Sequence, residues 1–351
     1  MKKTFLFWAA CVLLLTVGCE KDPSNNNSTN DGTYAYVLNE GAWGGNDAGI
    51  SRLNIKDGTI EVDWFAQANG RGLGDLAQDL IHYGSHLYVT VHESNTLEVI
   101  DPETGRSVKQ ISMGNRGPRY MVGYNGKVYV TCYDKTVVRI DTTTYTIEAT
   151  CSLSGMQPEQ LCVVDGKLYV CNCWANDANG NAIYDNSVSE IDLGNFIEVR
   201  KITVGTNPGR IKALPNHRFI VACSGDYYDV PASTLVVNVA DDSQTTIPVT
   251  ATNFDINGDD IYMYATAYDA EWNPTASFYR MDANALQPTT ILENVGGTLK
   301  NAYGINVNPA TGDLYICNSV YGVAGDVYRF DKNGTQTLKV EAGNLASKVV
   351  F

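Results

Sequence analysis

Short apolar runs centred on an aromatic residue recur along the chain after residue 33, each followed by a polar loop and a second apolar run. The first runs read AYVLN (35–39), LYVTV (87–91), VYVTC (128–132), LYVCN (168–172), RFIVA (218–222), IYMYA (261–265) and LYICN (314–318). The second runs end in Asp101, Asp141, Asp192, Asp282 and Asp331, or contain Asn54 and Asn238 in place of the aspartate. Repeats of about 40–50 residues made of strand signals predict an all-β fold, a seven-bladed β-propeller.

The third repeat shows the order of elements within a unit. It reads PRYMVGY (118–124), KVYVTC (127–132), TVVRID (136–141) and YTIEATC (145–151). The Asn125-Gly126 pair between the first two runs is a strong signal for a two-residue hairpin turn. Each blade is therefore predicted to contain four strands, A to D, with strand A innermost.

The first repeat lacks a strand A, because AYVLN is preceded only by a polar tract. The chain ends in GNLASKVVF (343–351), which aligns with GNRGPRYMV (114–122) and GTNPGRIKA (205–213), the segments that open other blades. We therefore expect Ser347–Phe351 to supply strand A of blade one. Closure in this way leaves no unpaired inner edge in the ring.

The N-terminus is typical of a targeting segment. Lys2 and Lys3 precede an apolar stretch that is too short to span a membrane and that ends in TVGC at Cys19. We interpret residues 1–18 as a lipoprotein signal peptide and Cys19 as the lipidated residue, the alternative being an ordinary signal peptide. Residues 19–33 are polar and predict a disordered tether, and residues 34–351 form the propeller. The acidic and lysine residues directly after Cys19 resemble the export tag of surface lipoproteins, and the resemblance implies an outer-membrane, lipid-anchored location facing the cell exterior.

The composition argues against nucleic acid as a partner and indicates a structural role for the cysteines. The chain carries a net charge of −14, and such a surface repels nucleic acid. Four of its nine cysteines, Cys132, Cys171, Cys223 and Cys317, fall at or near strand ends, where other repeats have small residues. We interpret them as small core residues, and the odd number argues against a complete disulfide framework.

Propeller topology places the B–C loops and the D–A loops on one face, here named the loop-rich face. Exposed aromatic clusters with a few polar groups mark ligand sites, and aromatic residues concentrate in these B–C loops, including the long loop 173–186. The candidate ligand-binding residues of the B–C loops are Trp43, His92, Tyr133, Trp174, Asn176, Asp177, Tyr227, Tyr228, Tyr268, Trp272 and Tyr321. Those of the D–A loops are Arg71, Arg116, Arg119, Gln157, Arg210 and Tyr303.

Structural roles remain open alternatives for these residues. The rings can pack long loops against one another, and each arginine can pair with a carboxylate of a neighbouring blade.

Catalytic motifs are missing from the sequence: there is no G-x-S-x-G and no histidine-rich zinc motif. We therefore expect no enzymatic activity and no catalytic residue. Asp177, Asn179 and Asn181 resemble the start of a calcium loop, but Ala182 stands where such a loop needs glycine. Calcium near Asp177 remains open. A metal-dependent enzyme would need converging carboxylates, for which Glu40, Asp75 and Glu159 are the candidates.

GKVYV (126–130) and GKLYV (166–170), with VVRID (137–141), VSEID (188–192) and GTNP (205–208), resemble the YncE-like seven-bladed propellers over residues 34–351. With the signal, tether and aromatic face, the chain is similar to the cobalamin-capturing surface lipoproteins of that group (BtuG-type). The resemblance implies that the loop-rich face binds cobalamin or another corrinoid as a ligand and passes it to a TonB-dependent outer-membrane transporter (BtuB-like). The alternatives are a surface binder of a glycan or other nutrient, a lactonase-like metalloenzyme, and an envelope interaction protein.

Overall fold

Seven four-stranded antiparallel sheets are formed by residues 32–293 and 298–351, the part of the chain that the computed structural model describes. Each sheet is one blade of a ring, which confirms the prediction of an all-β, seven-bladed propeller. The predicted signal peptide, the lipidation site Cys19 and the tether up to residue 31 lie outside the described residues. Within those residues, no helix is long and apolar enough to cross a membrane.

Strand A of each blade runs along the central channel. From blade two to blade seven and then blade one, these strands are β4 (Ala77–Tyr83), β8 (Pro118–Tyr124), β12 (Pro158–Val164), β16 (Pro208–Leu214), β20 (Asn253–Asn257), β24 (Ala302–Val307) and β28 (Ala346–Val350). Proline opens three of them, and it is tolerated at this first position because no ladder hydrogen bond is needed there.

Strands B and C form the middle of each blade. Strand B is β1 (Tyr34–Asn39), β5 (His86–Val91), β9 (Lys127–Cys132), β13 (Lys167–Asn176), β17 (Arg218–Cys223), β21 (Asp260–Tyr268) and β25 (Leu314–Asn318). Strand C is β2 (Gly49–Asn54), β6 (Thr96–Ile100), β10 (Thr136–Asp141), β14 (Ala182–Asp192), β18 (Ser233–Asn238), β22 (Pro274–Asp282) and β26 (Ala324–Phe330).

Strand D lies on the outer edge of each blade. It is β3 (Ile60–Glu61), β7 (Ser107–Ser112), β11 (Thr146–Ser152), β15 (Ile197–Thr203), β19 (Gln244–Thr246), β23 (Thr289–Ile291) and β27 (Gln336–Asn344). In blade one it is only two residues long, and the helix α1 (Trp64–Asn69) follows it. The repeat pattern predicted strands alone, so this helix is a departure from the prediction.

The hydrophobic core is divided into seven clusters, each between two neighbouring blades. Their largest members are the aromatic residues that centre the B strands, such as Tyr88, Tyr169 and Tyr315, which are fully buried. Strand B is buried on both faces because a blade is sandwiched between two others. The recurring aromatic residue of the sequence is therefore a packing residue and not a ligand contact.

Strand β28 closes the ring by pairing antiparallel with β1, with Val37 opposite Val349 and Leu38 opposite Lys348. The prediction that the C-terminus completes blade one is confirmed, with the strand beginning one residue earlier than expected. A contact to the preceding blade reinforces the closure, since the Val349 N–H donates to the Asn306 side-chain oxygen at 2.8 Å.

All seven cysteines of the described residues are buried and unpaired. Burial raises the pKa of the Cys132 and Cys223 thiols to about 12, so both are neutral at physiological pH and poor nucleophiles. They behave as the small core residues that the sequence indicated.

Candidate functional site

The B–C and D–A loops meet at one end of the ring and hold one another. The Trp43 N–H of blade one donates to the Tyr321 hydroxyl of blade seven at 2.8 Å. The Gly44 N–H donates to the Asp75 carboxylate of the next D–A loop at 2.9 Å. These contacts join the loops of blades seven, one and two, and we call the ring of B–C and D–A loops at this end of the channel the rim.

Six aromatic side chains project from this rim into solvent and form what we name the aromatic arc. They belong to four consecutive blades, five, six, seven and one, and are Tyr227, Tyr228, Tyr268, Trp272, Tyr321 and Trp43. Their exposure is high, at 90% for Tyr228, 79% for Trp272 and 71% for Trp43. This exposure leaves ring surface available for a ligand, although Tyr321 also holds the Trp43 loop through its hydroxyl.

Carboxylates inside the loops fix the backbone that carries the arc. Asp226 accepts the N–H groups of Tyr228 and Val230 at 2.9 and 2.8 Å. Asp269 accepts the N–H groups of Glu271 and Asn273 at 3.0 and 2.8 Å. Hydrogen bonds to the ionised form lower the pKa of both carboxyls. The rings are therefore presented on loops with defined turns.

Trp272 has a left-handed backbone conformation, with φ of 63°. Its N–H closes the turn on the Asp269 carbonyl at 3.1 Å, a position that Gly180 and Asn95 occupy in other blades. A bulky residue there costs roughly 1–2 kcal/mol relative to the right-handed region. The exposed ring recovers little of that cost by packing. Strain without a packing reason is typical of functional positions.

On blades two to four, the predicted arginines are paired. Arg71 contacts buried Glu98 at 2.7 Å, and Arg116 contacts Asp134 at 2.8 Å. Both arginines therefore pair with a carboxylate, but each partner lies on the blade that the arginine's D–A loop leads into, and not on a neighbouring blade.

Arg119 makes the third such pair, reaching Glu159 of the next blade at 2.9 Å. Burial opposes the charge on Arg119, but the Glu159 carboxylate raises the pKa of the guanidinium above its ordinary value. The Tyr133 hydroxyl donates to the same carboxylate at 2.5 Å. His92 packs edge-on against Tyr133 at 5.0 Å, and burial lowers the pKa of its imidazole. These side chains form one half-buried network.

The B–C hairpin of blade four is longer than predicted, which corrects the predicted boundary between its strands and its loop. Strands β13 and β14 extend well into the segment expected to be a loop, leaving only residues 177–181 as the tip. Trp174 and Asn176 therefore lie on a strand, with Trp174 opposite Tyr184. The hairpin is long because β13 and β14 remain paired as far as Asn176 and Ala182, beyond the rest of the sheet. Gln157 lies beside it, with its N–H donating to the Trp174 carbonyl at 3.1 Å.

Asp177 closes the tip of this hairpin. Its carboxylate accepts the N–H groups of Asn179 and Asn181 and the side-chain amide of Asn181, at 2.8 to 3.0 Å. Among the described residues there is no group of three or more His, Cys, Asp or Glu side chains arranged to hold a metal. Calcium near Asp177 stays a prediction.

The carboxylates considered for a metalloenzyme each have their own partner. Asp75 accepts the Gly44 N–H, and Glu159 is held by Arg119 and Tyr133. Glu40 accepts the Tyr303 hydroxyl at 3.0 Å. Each of these three carboxylates therefore makes contacts of its own with different residues.

Below the rim, the A strands enclose a channel cavity of about 540 Å³. We name its upper part the channel mouth, formed by Glu40, Gln78, Tyr120, Arg210 and Tyr303. Arg210 donates to the Tyr120 hydroxyl at 2.8 Å, and the Gln78 amide donates to the same oxygen at 3.0 Å. Burial raises the pKa of the Glu40 carboxyl, which the Tyr303 hydrogen bond opposes.

Tyr120 and Gln78 were not among the candidate residues named from the sequence, although the sequence contains a pattern that points to Tyr120. Tyr120, Gln160 and Arg210 each follow the proline that opens a strand A by two positions, and all three line the cavity. At this place the pairing of strand A with strand B shifts register in all three blades, and such an irregularity redirects the side chains next to it.

Solved structures of low identity share the fold. A proposed 6-phosphogluconolactonase from Bacteroides uniformis has a TM-score of 0.60 at 13% identity, with 90% of this chain and 99% of that chain covered. Hydrazine synthase of Kuenenia stuttgartiensis gives 0.57 at 15%, covering 70% and 73%. Streptogramin B lyase gives 0.56 at 9%, covering 78% and 84%. These identities show the fold alone.

No curated protein has significant sequence similarity to the chain. A family model does match, over residues 31–347, and it is described as a domain of unknown function, DUF5074. The match spans nearly the whole propeller, and the chain therefore belongs to the DUF5074 family.

Proposed function

We propose that this protein is a non-enzymatic binding protein that captures cobalamin or a related corrinoid on its loop-rich face. It is anchored through a lipid on Cys19, faces the exterior of the outer membrane, and passes the ligand to a TonB-dependent transporter. The observation that carries the ligand proposal is the aromatic arc, exposed over four adjacent blades beside the channel mouth. The anchoring and the transporter rest on the resemblance of the sequence to cobalamin-capturing lipoproteins.

The chemistry of the face suits such a ligand. A corrinoid is broad and flat, with apolar edges, a fringe of amides and one phosphodiester. Aromatic rings on a rigid rim provide apolar contact area at low entropic cost, with roughly 0.5–1.5 kcal/mol for each stacked pair beyond area burial. Exposed amide and carboxyl groups such as Asn176 lie nearby on the same face. Several rings acting together give tight binding without a covalent step.

Calorimetric titration with cyanocobalamin tests the proposal. We expect binding, and we expect Trp272→Ala and Trp174→Ala each to weaken it roughly fivefold to tenfold, as the loss of about 1 kcal/mol of ring contact implies. Trp272→Gly is the sharper variant, since it also relieves the left-handed strain. It should raise the melting temperature while lowering affinity. Stability lost together with affinity would mean that Trp272 is a structural residue.

Tyr145→Ala is the matched control, because Tyr145 lies in the C–D turn of the opposite face and its loss should leave affinity unchanged. Wild-type protein that gives no heat with cyanocobalamin at micromolar concentration overturns the corrinoid proposal.

Glycan binding is the second candidate, because an exposed aromatic platform also stacks on sugar rings. A glycan array beside the cyanocobalamin titration separates the two ligands. Elemental analysis for a divalent metal separates both from a metal-dependent enzyme.

A further inference from the structure

Arg210 is unusual among the cations of the channel wall. Lys212 and Lys348 also line the cavity, and each pairs with a carboxylate, Asp255 and Asp79 respectively. In residues 32–293 and 298–351, no carboxylate lies within ion-pair distance of Arg210. The charge persists regardless of pH, because a guanidinium does not deprotonate in proteins.

Glu40 does not offset this charge fully. It accepts the Tyr303 hydroxyl instead of contacting Arg210. Its burial favours the neutral carboxyl. Burial opposes the charge on Arg210, whereas the buried Glu159 carboxylate raises the pKa of that guanidinium. The direct partners of Glu159, however, are Arg119 and Tyr133. A guanidinium in a half-enclosed wall therefore faces the cavity with a hydroxyl as its direct partner, not an anion.

The Tyr120 hydroxyl adds a directed donor beside it. This oxygen accepts two hydrogen bonds, from Arg210 and from Gln78. A hydroxyl has two acceptor lone pairs and one proton, so both lone pairs are occupied. Within the described residues this hydroxyl donates no hydrogen bond, and because Tyr120 lines the cavity its O–H is available to a bound group there.

From this arrangement we infer that the channel mouth is an anion-binding subsite, in which the Arg210 guanidinium and the Tyr120 O–H hold a phosphate or carboxylate group. A guanidinium fork matches either group with two parallel hydrogen bonds. The outer surface of a chain with net charge −14 repels small anions, which makes a built donor set in the channel selective. That this anion belongs to the same ligand that contacts the aromatic arc rests on the proposed function.

The subsite itself is tested with small anions. Melting temperatures are measured at constant ionic strength while sodium chloride is replaced by sodium phosphate or by sodium acetate. We expect phosphate, acetate or both to stabilise the wild type relative to chloride, by preferential binding to the folded state. The anion that acts identifies the group. Arg210→Gln should abolish the response. Arg106→Gln removes the same charge from an exposed turn of the opposite face and should retain it.

Tyr120→Phe keeps every charge and removes the donor, so it should reduce the response even if Arg210→Gln folds poorly. An equal response in wild type and Arg210→Gln overturns the inference, and so does no response to either anion in the wild type.

A second titration connects the subsite to the ligand. Dicyanocobinamide is a corrinoid that lacks the phosphodiester of cyanocobalamin. Because Arg210→Gln removes a charge-assisted hydrogen bond, we expect it to lower the affinity for cyanocobalamin roughly tenfold or more. Dicyanocobinamide should bind the wild type and Arg210→Gln with equal affinity. Equal loss for both corrinoids, or loss for neither, contradicts the placement of the phosphodiester on Arg210. If neither corrinoid binds the wild type, the proposed function fails, and the small-anion measurement still decides the subsite.

Discussion

The aspartate that ends strand C in five blades acts within its own turn. The Asp331 carboxylate accepts the N–H groups of Asn333 and Thr335, both at 2.9 Å. Where the repeat departs from aspartate, Asn54 and Asn238 accept equivalent N–H groups through their amide oxygens. The repeating residue thus accepts backbone hydrogen bonds in the turn. It recurs because the fold requires this turn, and not because it contacts a ligand.

Substitution of Asp331 tests this role through pH. Hydrogen bonds to the carboxylate lower its pKa in the folded state. Its contribution is therefore present above the unfolded pKa of about 3.9 and is lost as the pH falls below it. We expect Asp331→Asn to keep the turn and to lose less stability on acidification than the wild type. Asp331→Ala should melt lower already at neutral pH. Thermal unfolding at pH 7 and near pH 3 measures both, and identical acid sensitivity in Asp331→Asn and wild type would contradict the role.

At the scale of single elements, blade one shows why a local pattern can fail. Its helix α1 is only six residues long, too short for a 3.6-residue period to be distinguished from a strand. It is stabilised by burial of Trp64 and Phe65 against strand β2 and the neighbouring blade. Gly70 ends it in the left-handed conformation, a stop signal visible in the sequence. The rest of the helix depends on tertiary packing.

The closing strand β28 is the element whose loss should affect the whole ring. Deletion of residues 346–351 unpairs β1 and opens the channel edge, so we expect a lower melting temperature for the entire domain. Val349→Ala is a milder test, because this buried side chain loses two methyl groups, or about 2 kcal/mol of unfolding free energy. Val199→Ala, on the exposed face of β15, is the control and should change stability by less than about 0.5 kcal/mol. A truncated protein that melts like the wild type would mean that the ring closes without β28.

At the scale of the molecule, the repeat was sufficient to predict the ring, its closure and the face that carries the long loops. It was insufficient to predict which side chains of that face are free. Arg119 and Arg210 lie at the second and third positions of strands β8 and β16. Arg119 finds Glu159, 40 positions away on the next blade, whereas Arg210 finds Tyr120, 90 positions away. Such pairings depend on the order of blades around the channel, which no local pattern records.

The face is consequently divided into two unlike halves. Blades two to four hold ion pairs and a half-buried network around Glu159. Blades five to seven and blade one hold the aromatic arc. The channel mouth lies between the halves, with Arg210 on blade five and Glu40 on blade one. A ligand that is flat and apolar on one side and anionic on another would use the arc and the mouth together.

Combining variants of the two regions tests whether one ligand uses both. Residues that contact different parts of one ligand without touching each other contribute independently, so their losses add within about 0.5 kcal/mol. We expect the double variant Trp272→Ala/Arg210→Gln to lose cyanocobalamin binding free energy equal to the sum of the single variants, measured by titration. With dicyanocobinamide, the double variant should bind no more weakly than Trp272→Ala alone. If either single variant binds cyanocobalamin as tightly as the wild type, the region that it alters does not contact the bound ligand.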